Sequence, residues 1–103
     1  MGFSLLGDVL KDWATYELDD SIYLPAGTEA SLGLTVNVLP ADFSRKRRFE
    51  GQEYLLGIEQ IRDEIEGLEA QIGRAATLNE RLRAVVYYAR NDAFIDPRDA
   101  VGD

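Results

Sequence analysis

The chain contains no cysteine and no histidine. Without thiols there is neither a disulfide framework nor a thiolate metal site. Without imidazole the usual zinc ligands, the Ser-His-Asp and Cys-His nucleophile systems and the commonest general base near neutral pH are gone. These absences point away from an enzyme and away from any cofactor or metal. Positive charge is also scarce, with 11 Lys and Arg against 19 Asp and Glu and a formal net charge of -8. No apolar run approaches the roughly 18 residues of a membrane span. The opening MGFSLLGDVL lacks the basic start of a secretory signal, so a cytoplasmic protein with no membrane partner is expected. There is no internal repeat, no low-complexity tract and no phosphate loop, because the glycines lack the spacing and the following lysine that phosphate cradling needs.

What is present is an ordinary globular composition, 46% hydrophobic and 10% aromatic over 103 residues. That length supports one core, here a single α+β domain over residues 1–96 followed by a polar, frayed tail at 97–103. The charge is uneven. Residues 1–44 carry seven acids against Lys11 alone, residues 49–103 carry twelve acids against six arginines, and Arg45, Lys46, Arg47 and Arg48 form one basic run. Such a field repels phosphates and steers basic partners. Direct nucleic-acid binding is therefore not expected, and a protein partner with a basic surface is. The plainer explanation of the acidity is solubility.

The clearest element spans Thr77–Ile95. Thr77 and Glu80 form a capping box, and Leu78, Leu82, Val85, Val86 and Ala89 recur at three- and four-residue steps. The predicted helix stops near Arg90 to Asp92, ahead of Pro97, with Ala93, Phe94 and Ile95 tucked back. Upstream, Phe3, Leu5, Leu6, Val9, Leu10 and Trp13 have helical spacing and predict a first helix from about Ser4 to Tyr16. Ser21–Leu24 reads as a short strand. Leu32, Leu34, Val36 and Val38 alternate along a half-buried strand that pairs with it as a hairpin, and Gln52–Leu56 reads as a third strand. Ile58, Ile61, Ile65, Leu68 and Ile72 then form the apolar seam of a helix closed by Gly73. The expected architecture is an N-terminal helix, a small antiparallel sheet of about three strands and two C-terminal helices packed on one face. The oligomeric state, monomer or homodimer, is left open, since the seam is too short to specify a coiled coil by itself.

Opposite that seam lie Glu59, Asp63 and Glu66, with Glu69 nearby. Steps of four and three set the first three along one helical stripe, a surface suited to a cationic partner or simply a solvated face. Tyr16, Asp19, Asp20 and Tyr23 form a second acidic and aromatic cluster. Neighbours on an extended chain point apart, so Asp19 and Asp20 make a poor cation site. Either Tyr87 or Tyr88 must leave the core stripe and is available as an anchor. The basic run reads as a solvated or sheet-edge segment, or as an anion or RNA contact without interleaved aromatics.

Taken in order, Trp13, IYLP at Ile22–Pro25, VNVLPAD at Val36–Asp42, YLLGIEQIRDEIEGLEAQ at Tyr54–Gln71 and AVVYYARNDAFID at Ala84–Asp96 resemble a family of functionally uncharacterised bacterial proteins of about this length. Its members have been placed among the immunity-type proteins of polymorphic toxin systems. Arg45–Arg48 departs from the family's pattern. The resemblance implies inhibition by occlusion of a toxin domain, often a nuclease with a basic active surface, and transfers no catalytic residue. A phage or mobile-element inhibitor that mimics nucleic-acid charge against a host defence nuclease would carry the same surface. So would a housekeeping oligomeric domain. A hydrolase working through carboxylates alone would need a cleft that so short a chain rarely encloses.

Overall fold

A computed structural model describes residues 2–40, 48–49 and 51–102. In chain order the elements are β1 (Gly2–Leu5), α1 (Leu6–Lys11), a 3-10 turn (Trp13–Thr15), β2 (Ser21–Pro25), β3 (Thr35–Leu39), β4 (Arg48–Phe49), β5 (Gln52–Gly57), α2 (Ile58–Ile72), α3 (Leu78–Asn91) and α4 (Pro97–Ala100). The strands form one antiparallel sheet in the order β1-β3-β2-β5-β4. The α+β class is as expected. The arrangement differs in its strand count, five rather than about three among the described residues, and at its N-terminus.

There the anticipated long helix is a strand followed by a short helix. Gly2, Phe3, Ser4 and Leu5 pair with Val38, Asn37, Val36 and Thr35 of β3. The chain then turns into α1 as the amides of Leu6 and Gly7 donate to the carbonyls of Leu34 and Leu32, both at 2.9 Å. Gly7 is needed for this approach, because a Cβ there would meet the Leu32 carbonyl oxygen at 3.0 Å. Leu6, Val9 and Leu10 keep the helical spacing and are fully buried, while Trp13 packs half-buried against the core from the 3-10 turn.

β3 also departs from its pattern. Leu32 and Leu34 precede the strand, and Val36 to Leu39 are buried without alternation in a strand whose two edges are paired with β1 and β2. The expected hairpin with β2 is present, and β2 pairs on its other side with β5 through a bulge between Ile22 and Tyr23. Ile22, Leu24, Val36, Val38 and Leu56 join α1 and the α2 seam, Ile58, Ile61 and Ile65, in one core cluster.

The two long helices follow the sequence closely. Gly73 ends α2 at φ 72°, Thr77 caps α3 by accepting from the Glu80 amide at 3.2 Å, and the Glu80 carboxylate returns to the Thr77 amide at 2.8 Å. On α3 the buried residues are Glu80, Ala84 and Val85, whereas Val86 is half-buried and Ala89 exposed. The predicted apolar face is therefore turned slightly from the observed one. The segment expected to fray forms α4 instead. Asp96 caps it through the Arg98 amide at 2.9 Å, and Ala100 is fully buried. Arg83 donates to the carbonyls of Ala100 and Gly102, and the Gly102 amide donates to Glu80 at 2.9 Å.

A candidate protein-interaction surface

The start of α2 is held against the loop before β2. The Ile58 amide donates to the Asp20 carbonyl at 2.8 Å and the Glu59 amide to the Leu18 carbonyl at 3.3 Å, so the first turn of the helix leaves few amides unsatisfied. Gln60 completes this end by accepting from the Gly57 amide at 3.0 Å and the Tyr54 hydroxyl at 2.9 Å. These bonds bring together two groups that are distant in sequence. Glu17, Leu18 and Asp19, all exposed, belong to the loop bonded to the first turn of α2, which carries Glu59, and Asp63 and Glu66 continue the acidic row along the helix.

The side chains of Glu59, Asp63 and Glu66 are 62%, 53% and 61% exposed. Arg62 sits among them. Its Nη2 lies 2.9 Å from Asp63 and 3.7 Å from Glu59, and its Nε 4.0 Å from Glu66. The hydrogen bond to Asp63 is the first cause that raises the Arg62 pKa, and the three carboxylates add to it. One cation thus relieves the repulsion of three anions and leaves the row negative. Arg62 is a component of this surface that the charge pattern of the acids alone did not single out.

Glu69 does not belong to the row. It accepts from the Ala76 amide at 2.8 Å and from Arg81 at 3.1 Å, while Arg81 also donates to the Leu10 carbonyl at 2.7 Å. It ties α3 to the α2–α3 turn. Of the second predicted cluster, Asp19 is exposed, and Asp20 is half-buried, its carboxylate accepting from the Glu17 amide at 3.3 Å. Tyr16 is half-buried, with its hydroxyl 3.4 Å from Ser4. Tyr23 is fully buried, edge-on to Tyr54 at 5.7 Å, and burial followed by Tyr54 raises its pKa. Neither ring is offered to a partner. Leu18, 43% exposed within the acidic loop, is the apolar contact there, and it carried no sequence signal beyond being a leucine in a turn. Of the tyrosine pair Tyr87 is the exposed one, at 38%, while Tyr88 lies half-buried and edge-on to Phe94 at 5.7 Å. Arg45, Lys46 and Arg47 lie outside the described residues.

A surface of solvated carboxylates around one guanidinium attracts and orients cations, and it is not a built acid-base site. Among the described residues no group of three or more acids is gathered as a metal cage, and no helix is long and apolar enough to cross a membrane. Residues 3–97 match a family model described as Domain of unknown function (DUF7716). No curated protein and no solved structure matches the chain.

Proposed function

We propose a function for this chain on the premise that it belongs to the DUF7716 family, and that function is inhibition by binding. It acts as an immunity-type protein that occludes the basic surface of a cognate bacterial toxin domain in the cytoplasm, and it catalyses nothing itself. The observation that carries this reading is the joined acidic surface, where Glu17 and Asp19 meet the row Glu59, Asp63 and Glu66 beside exposed Leu18. Like-signed charge gathered on one face accelerates encounter with a cationic partner, and an apolar contact within it slows release. Rigid placement matters as much. The backbone bonds from α2 to the loop mean that little ordering is left to occur on binding.

The experiment is capture of the tagged protein's partner from lysate of its own host at low and moderate salt, followed by assay of that partner. A stoichiometric toxin domain that loses its activity in the complex is the expected outcome. Reversing Glu59, Asp63 and Glu66 to lysine should slow its association by about tenfold or more at low salt. Undiminished association would remove this surface from the interface. A partner that stays fully active in the complex would overturn inhibition.

A further inference from the structure

The opposite pattern of charge occurs along the outward side of α3. Leu82, Val86 and Arg90 stand at successive four-residue steps and Arg83, Tyr87 and Asn91 form the adjacent row, so the two rows run together for about 12 Å. Ala30 and Ile95 close them into a groove of about 410 Å³. That volume lies at the small-molecule end of ligand sites, which are apolar clefts with a few convergent polar groups. Here Leu82, Val86 and Ile95 supply apolar wall, and Arg90 supplies the cation.

The two arginines are not equivalent. Arg83 is engaged by the carbonyls of Ala100 and Gly102, whereas the Arg90 side chain is 64% exposed. Its ion pair is with Glu29, at 3.8 Å and 91% exposed. Glu29 itself lines the groove. The chain's own carboxylate therefore already stands where an incoming one would be held, on a side chain loose enough to leave.

We propose that this groove binds a small amphipathic carboxylate, with its acid group at Arg90 and its hydrocarbon chain along Leu82, Val86 and Ile95. Charge complementarity selects an anion even on a chain of net charge -8. The groove's length selects a short aliphatic or aryl-aliphatic acid over acetate. This site is separate from the acidic surface, so the two proposals stand or fall apart.

The test is amide chemical-shift mapping of the full-length ¹⁵N-labelled protein titrated with octanoate, and in parallel with octylamine and acetate. Saturable shifts from octanoate should centre on Leu82–Asn91, Ala30 and Ile95, with octylamine and acetate giving none there. Arg90→Gln, a change to an exposed side chain, should weaken octanoate by about three- to tenfold, and Glu29→Gln should tighten it by about twofold. Octylamine binding as well as octanoate, an unchanged affinity in Arg90→Gln, or shifts centred elsewhere would each overturn the proposal.

Discussion

Two buried glutamates place opposite demands on pH. Glu64 is 2% exposed on α2 and its Oε1 has no hydrogen-bond partner. Burial, with Asp63 adding to it, raises its pKa to about 7. The folded state therefore holds a proton there that the unfolded chain releases above its ordinary value of 4.5. Stability from this group is complete below that value and falls as pH rises toward 7. Glu64→Gln should remove the slope, leaving the variant about 1 to 3 kcal/mol more stable than the parent at pH 8 and no better at pH 4, measured by urea unfolding. Parallel stability curves for the two proteins would disprove the buried proton. Glu80 is the reverse case. Arg74 binds both its oxygens, at 2.8 and 2.7 Å, and the amides of Thr77 and Gly102 donate at 2.8 and 2.9 Å. Arg74 first, and then those amides, hold its carboxyl far below the usual range. Its contribution is present above the ordinary carboxylate value and is lost only as pH falls well below it. Glu80→Ala should cost about 2 to 4 kcal/mol at pH 7, since it frees a cap, a turn and the C-terminal strap together.

At the level of elements, α2 and α3 could be read from the sequence because their signals are local. A capping box, a three-four seam and a glycine past the last turn each act within a few residues. β1 could not, because its strand state comes from pairing with β3 thirty or more residues away, while the helical spacing of Leu6, Val9 and Leu10 truly belongs to α1. The acidic row divides the same way. Each residue turns a helix by about 100°, so Glu66 stays within a narrow stripe with Glu59 and Asp63, but Glu69 has swung about 80° from Glu59 and meets Arg81 instead. The buried Tyr23 packs edge-on to Tyr54, a cross-strand neighbour that no spacing rule identifies. Two substitutions on α3 test the observed face against the predicted one. Val85, fully buried, should lose about 1.5 to 3 kcal/mol on truncation to alanine. Val86, on the groove wall, should lose less than about 1 kcal/mol. Equal losses would mean that α3 is rotated from the orientation described. Asp92 ends the helix at φ 52°, so Asp92→Gly should raise stability by up to about 1 kcal/mol by relieving left-handed backbone.

Over the whole molecule the question is whether the acidity is a functional field or a solubility device, and Arg62 separates the two. It offsets three carboxylates at the surface, yet it is joined to them by exposed ion pairs, which contribute little to stability. Arg62→Ala should therefore leave folding nearly intact while making the patch around Glu59, Asp63 and Glu66 more negative. If that patch steers a basic partner, association at low salt should quicken by about two- to threefold, the salt dependence should steepen, and dissociation should hardly change. A field that served only to keep the protein in solution would leave association unchanged. A faster dissociation with unaltered association would instead make Arg62 a direct contact, so that the patch would be read by its shape and hydrogen bonds and not by its charge. Stopped-flow association and dissociation measured at two ionic strengths, on the parent and this one variant, distinguish the three.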